Sequence, residues 1–105
     1  LTGKYQNGAV PEGSRMTHGS QLGGRVTARA FDAVDAYQAV ADKHGMSLAH
    51  MAMAFQRSRP FKTSAIFGAT TSEQLAYLLD GKDLELSDAV LEDIDIAHRA
   101  HPMPF

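Results

Sequence analysis

Thr63-Ser-Ala-Ile-Phe-Gly-Ala-Thr-Thr-Ser-Glu-Gln-Leu75 is the stretch on which the reading of this chain turns. Ser64 to Phe67 is small or apolar throughout and reads as a short buried strand. Gly68-Ala-Thr-Thr71 reads as a turn that opens a helix, with Thr71 as its cap. Gln74, three residues on, is the reciprocal partner of a capping box. Strand, small-residue turn and helix start together make an anion site. The first backbone N–H groups of a helix have no intrahelical partner, and the helix dipole adds partial positive charge there. Local physics therefore points to a phosphorylated ligand without identifying it.

On either side of this stretch the pattern is helical. From about Ala28 to His44, Phe31, Val34, Tyr37 and Ala41 share one face, with Val40 beside them. Lys43 and His44 suit the last turn, and Gly45 the left-handed position that ends a helix. Ser47 caps the next helix, whose apolar stripe is Leu48, Met51, Ala52 and Phe55, and Pro60 stops it. After Thr71, the residues Leu75, Leu78 and Leu79 are expected to face inward and Gly81 to end the helix. Ser87 caps the last helix, with Leu86 and Leu91 spaced as a hydrophobic staple. Its stripe is Val90, Leu91, Ile94 and Ala97. Pro102 and Pro104 are expected to end the order.

The N-terminal part differs. Gly3, Gly8, Gly13, Gly19, Gly23, Gly24 and Pro11 punctuate residues 1–26, no hydrophobic period survives, and a long irregular loop is expected. The resulting order is helix, helix, strand, helix, helix. A lone parallel strand cannot satisfy its own edges. The fold expected is thus incomplete, or completed by another chain.

Composition narrows the function classes. The 105 residues suffice for one small domain at most, and 44% hydrophobic with 21% charged residues is ordinary for a globular protein. No run approaches the roughly 18 apolar residues of a membrane helix. No signal-peptide pattern is present, and Leu1 opens in what reads as the middle of a longer sequence. The absence of cysteine excludes disulfides, thiolate metal sites and a thiol nucleophile. A net charge of -2 is no nucleic-acid signature. Charge is nevertheless uneven. Lys4, Arg15, Arg25 and Arg29 face Glu12 alone in residues 1–30, whereas residues 80–95 are strongly acidic. The acidic stretch reads as a solvated helix face. The basic, glycine-rich loop is suited to close over an anion. His98 and His101 read as cations near a helix C-terminus, His44 and His50 as surface residues, and Met46, Met51 and Met53 as core filling. No metal site is expected.

Several separated motifs resemble the aldo-keto reductase family. They are Leu1-Thr-Gly-Lys-Tyr5, Pro11 to Arg15, Ala54-Phe-Gln-Arg-Ser-Arg-Pro60 and Gly68-Ala-Thr-Thr-Ser-Glu-Gln-Leu75, in family order over essentially the whole chain. The closing His98-Arg-Ala-His-Pro-Met-Pro-Phe105 is similar to one bacterial branch. The resemblance implies an α/β fold, a cytoplasmic (β/α)8 TIM barrel that reduces carbonyls with NADP(H), of which this chain is the C-terminal third. Residues 1–26 are then the cofactor-covering loop after strand seven, and 27–62 two helices. Residues 63–68 become the last barrel strand, and 72–101 the C-terminal helices. Barrels of this class form a phosphate site from the loops after strands seven and eight and a helix N-terminus.

Carried over by position, Lys4 and Arg15 match the basic positions of the covering loop, with spacing one residue longer than in some relatives. Gly68 and Thr70 match the positions that meet the adenosine 2′-phosphate, and Gln74 a further adenosine contact. Where the family commonly has asparagine, four residues after that glutamine, this chain has Leu78. The family's catalytic Asp, Tyr, Lys and His lie on earlier strands. Tyr5, Tyr37 and Tyr77 are not the catalytic tyrosine, so this polypeptide alone is expected to be inactive. A small carbonyl compound is the expected substrate of the whole protein, with no nucleic-acid or membrane partner. Self-association through the barrel-facing surface is a further expectation. The alternative readings are a non-catalytic helical interaction module and a protein resembling channel β-subunits, which share the family.

Overall fold

The computed structural model describes residues 3–19 and 22–104. Leu1 and Thr2, which open the first family-like motif, and the terminal Phe105 lie outside the described residues, as do Ser20 and Gln21 of the expected loop. Four helices carry the fold: α1 (Ala28–Lys43), α2 (Leu48–Arg57), α3 (Ser72–Asp80) and α4 (Asp88–Ala100). The N-terminal loop contains three short 3-10 turns, Gln6–Gly8, Arg15–His18 and Leu22–Gly24. Among the described residues no helix is long and apolar enough to cross a membrane.

Each helix begins where a hydroxyl residue is placed to start it. Thr27, Ser47, Thr71 and Ser87 each accept a hydrogen bond from the backbone N–H three residues on. Each such bond satisfies a donor with no intrahelical partner. Gly45 (φ 66°) ends α1: its N–H donates to the Asp42 carbonyl while Met46 N–H donates to that of Ala41. This paired arrangement turns the chain at once into α2. Gly81 has another role. Its φ of -87° suits any residue, but a Cβ there would meet His50 Cγ at 2.4 Å. Glycine is required at this point by the close approach of the His50 ring.

The core lies where α1 packs on α4 and α2. Val40, Ala41, Leu48, Met51, Val90, Ile94 and Ala97 are buried together, flanked by Val34, Tyr37, Phe55 and Leu86. Most of these belong to the stripes expected from helical periodicity, but Ala54, not Ala52, is buried in α2, and Phe31 and Leu91 of the expected stripes are only partly buried. Burying each large aliphatic side chain contributes about 1.5–3 kcal/mol. At the end of α1, Asp93 of α4 accepts from Lys43 Nζ (2.8 Å) and lies 2.6 Å from His44 Nε2. His44 and Asp93 side chains are each only 20% exposed, so His44 is no surface residue. His50 is likewise engaged: its ring lies 4.6 Å from that of Tyr77, and its Nε2 is 2.5 Å from the Tyr77 carbonyl oxygen.

Three expectations are corrected. Residues 62–69 form no strand, and the described residues contain none. A strand exists only through a neighbour's ladder, and no described segment runs beside this one to supply it. In α3 only Leu78 is buried; Leu75 and Leu79 remain 42% and 45% exposed, because no described segment covers that side of the helix. The tail after α4 is anchored instead of released by its prolines. The Thr27 hydroxyl that caps α1 donates to the Pro104 carbonyl (2.9 Å), and Arg29 reaches the Pro102 carbonyl.

The packing is loose for the chain's size. A compact 11.3 kDa protein exposes about 5,700 Å², whereas this chain exposes 7334 Å². Its radius of gyration is 14.1 Å, against about 13 Å for a compact domain of roughly 100 residues. The strandless segment shares in this exposure: Ile66 is 96%, Phe61 64% and Phe67 42% exposed.

Replacing Gly81 by alanine is expected to cost about 1–3 kcal/mol through overpacking against His50. Combining it with His50→Ala should recover part of that loss, giving a less-than-additive double mutant in urea melts. The Asp93 carboxyl is held below its ordinary value of 3.8 first by its hydrogen bond from Lys43, then by His44. A depressed carboxylate stabilises the fold fully above the unfolded value, and that contribution disappears as pH falls through the lower folded value. Asp93→Asn should therefore flatten the fall in stability below about pH 4 in thermal melts.

Candidate functional site

The cap that opens α3 organises the site. Thr71 Oγ1 accepts from Gln74 N–H at 3.2 Å, as a capping box requires. The return bond lands one residue earlier than expected. Gln74 Oε1 accepts both from Thr70 N–H (2.9 Å) and from the Thr70 hydroxyl (3.0 Å), not from Thr71. Glu73, in the first turn, adds a carboxylate at the same end. Its pKa is lowered chiefly by a hydrogen bond from its own backbone N–H, then by the Thr71 hydroxyl. The free donors of this helix start are thus partly occupied by the chain's own oxygens.

A cleft of about 360 Å³ adjoins this end of α3, toward the small end of the roughly 300–1,000 Å³ of ligand pockets. Lys4 comes to it from the N-terminal loop, Gly68 from the segment before α3, and Gln74 from α3 itself. Gly68 is exposed, with nothing within 4 Å of where a Cβ would stand. The floor comes from the other helices: Gln38 of α1, then Ser47 with Leu48 and Ala49 at the start of α2. Tyr77 and Leu78 complete it from α3.

Of the five residues singled out in the sequence, Lys4, Gly68 and Gln74 line this one cleft, and Thr70 is hydrogen-bonded to Gln74. Arg15 is not brought to it. It opens the second 3-10 turn and is exposed. Sequence reasoning missed Tyr77, Ser47 and Gln38. Tyr77 was within reach, because it follows Gln74 by three residues and so shares its helix face. Ser47 and Gln38 join only through the packing of separate helices.

The loop beneath Lys4 has its own polar centre. Lys4 Nζ stands 5.2 Å from the centre of the Tyr5 ring. Ser14 is the buried polar residue of the described chain, 7% exposed, and neither its hydroxyl nor that of Tyr5 makes a well-formed hydrogen bond. Burial acts to raise the Tyr5 pKa, but nearby Ser14, the Lys4 charge and the Met16 backbone together bring it below the ordinary value. Among the described residues no three of His, Cys, Asp and Glu are grouped to hold a metal ion.

The Aldo/keto reductase family model matches residues 1–99. The chain belongs to the aldo/keto reductase family. Membership implies a (β/α)8 barrel; the described residues are helical and contain no strand. Among the relatives, Protein tas of Escherichia coli (strain K12) is 42% identical over 104 residues, covering 99% of this chain and 30% of that protein. Protein tas of Shigella flexneri matches to the same extent. The probable voltage-gated potassium channel subunit beta of Arabidopsis thaliana is 32% identical, covering 97% of this chain and 33% of that protein. The chain thus spans about a third of the length of these relatives.

Thr71→Ala removes the side-chain acceptor for Gln74 N–H and is expected to cost about 1 kcal/mol. The loss should appear as faster hydrogen exchange at the Gln74 and Leu75 amides, with the α1–α4 core amides unchanged.

Proposed function

We propose that the cleft between Lys4, Gly68 and Gln74 is the adenosine 2′-phosphate side of an NADP(H) site, in an aldo-keto reductase that converts carbonyls to alcohols in the cytoplasm. The observation that supports this best is convergence. Lys4 and Gly68 lie at opposite ends of the sequence's middle helices, yet line one cleft with Gln74. The residue types suit the task. Lys4 supplies a flexible point charge for a phosphate. Gly68 leaves its backbone open to close approach, and Thr70 has an N–H and a hydroxyl facing one acceptor oxygen.

That acceptor is now Gln74 Oε1, so an arriving phosphate oxygen takes both Thr70 donors only when the Gln74 amide turns away. Glu73 opposes the anion electrostatically, and Lys4 offsets it. Arg15 belongs to this reading as the second cation of the loop that covers the cofactor. When bound, the cofactor supplies hydride to the substrate carbonyl. No catalytic residue is proposed in this chain, and alone it is inactive.

In the same reading, residues 1–26 cover the cofactor and residues 63–68 are the last barrel strand, formed once neighbouring strands pair with it. The exposure of Phe61, Ile66 and Phe67 supports this, since such apolar surface is covered in a finished fold. A second reading is an interaction subunit without catalysis. The potassium channel subunit named among the relatives supports it, and the same apolar surface would then meet a partner or another copy.

Calorimetry on the chain should give tighter binding of adenosine 2′,5′-bisphosphate than of adenosine 5′-monophosphate, by about tenfold or more. Raising salt should weaken the former. Thr70→Glu should abolish the difference. Equal affinity for the two nucleotides, or no binding, overturns the cofactor reading for this chain by itself.

A further inference from the structure

The chain contains the pairs Asn7-Gly8 and Asp80-Gly81, and Asn7 is its sole asparagine. In such a pair the backbone nitrogen of the glycine is placed to attack the side-chain carbonyl carbon of the residue before it. Glycine hinders that approach least, having no Cβ and the widest choice of backbone angles. In a folded chain the reaction depends on whether the glycine nitrogen is free to swing toward that carbon. The two pairs differ in this respect.

Gly81 is fixed. It is buried at the end of α3, and its N–H donates to the Leu78 carbonyl at 3.3 Å. Its own carbonyl accepts from Leu84 N–H at 3.2 Å, and the His50 ring stands where a side chain would be. Turning this peptide breaks those bonds and drives the chain against the ring. Asp80 also presents a carboxylate, a poorer target for a nucleophile than an amide.

The first pair is open. Asn7 and Gly8 are exposed, as are Ala9 and Val10 after them. No described atom beyond its chain neighbours lies within 4 Å of where a Gly8 Cβ would stand. Asn7 (φ 55°, ψ 29°) and Gly8 (φ 73°) hold left-handed angles, which these two residue types tolerate best. Their element, Gln6–Gly8, is one 3-10 turn, whose hydrogen-bond geometry is poor. The turn is tied to α1 ahead of Asn7, where Gln6 Nε2 donates to Asp35 at 2.7 Å. It contains no buried residue, so rotation about Asn7 moves exposed chain and disturbs no core packing.

We propose that Asn7 is a site of spontaneous deamidation in the folded chain, with water as co-reactant, and that packing protects the pair at Gly81. The Gly8 nitrogen gives its proton to solvent base and bonds to Asn7 Cγ. The bond from Cγ to the side-chain nitrogen breaks, and that nitrogen takes up a proton and leaves as ammonia. Water then opens the cyclic imide at either carbonyl, leaving aspartate or isoaspartate. Nothing is oxidised or reduced. The product puts a carboxylate into the segment where Lys4, Arg15, Arg25 and Arg29 face Glu12 alone. The isoaspartate form also adds a methylene to the backbone between the Gln6 tie and the rest of the loop. This chemistry is independent of the cofactor reading.

The test is peptide mapping by mass spectrometry while the chain is incubated folded, at mildly alkaline pH, beside the same chain in urea. Conversion of Asn7 is read as the mass change from an amide to an acid, with aspartate and isoaspartate both formed. In the folded chain it is expected to run less than about tenfold slower than in urea. Asp80→Asn, which puts an amide before Gly81, gives the like-for-like comparison. Its new amide is expected to convert about tenfold or more slower than Asn7 when folded, and at a rate close to that of Asn7 in urea. Conversion of Asn7 about tenfold or more slower in the folded chain than in urea overturns the site. Equal rates at the two amides of folded Asp80→Asn overturn the protection by packing. The comparison of folded and urea-treated Asn7 needs no variant, so it decides the site even where Asp80→Asn fails to fold.

Discussion

The packing of α1 against α4 and α2 is the constraint on which the remaining structure depends. Ala41 has no exposed surface, and Val40, Ile94 and Ala97 close around the same crossing. Small residues let the helices approach, and larger neighbours fill the space they leave. The Gly45 turn follows at once, so α2 starts against the core and presents Ser47 and His50 on the side toward α3. Asp93 ties α4 to the end of α1 through Lys43 and His44. Without this crossing Gln38 and Ser47 would not share a cleft with residues of α3.

The position of α3 is decided by polar contacts more than by burial. Leu78 is its buried residue, and the His50–Tyr77 stack with the Tyr77–Ser47 hydrogen bond attaches the helix to α2. Gly81 permits the approach by leaving room for the His50 ring. An element held this way is tied at one edge and free at the other. That is consistent with Leu75 and Leu79 remaining exposed, and with the nearby apolar segment around Ile66 having no described segment over it. The proposed nucleotide cleft lies along the tied edge.

Much of the local structure was legible in the residues. The hydroxyl caps Ser47, Thr71 and Ser87, the left-handed Gly45 and the stripes of α1, α2 and α4 all follow from interactions within a few positions of chain. The strand at Ser64 to Phe67 was read from composition alone, and composition does not supply a ladder partner. The inward face expected for α3 failed for the same reason, since periodicity marks an apolar face without saying what covers it. The Gln74 bond to Thr70 instead of Thr71 depends on side-chain reach that spacing does not resolve. The anchored tail depends on Thr27 and Pro104, distant in sequence, meeting in space.

The sequence by itself determined the family, the four helix starts and the identity of Lys4, Gly68, Thr70 and Gln74 as candidates, because motifs and caps are properties of neighbouring residues. Only the tertiary structure decided that Lys4, Gly68 and Gln74 border one cleft while Arg15 stands away from it. It alone brought Tyr77, Ser47 and Gln38 to the same place. The reason is physical: a cleft is made by helix packing and loop path, and these are set by contacts between residues far apart along the chain.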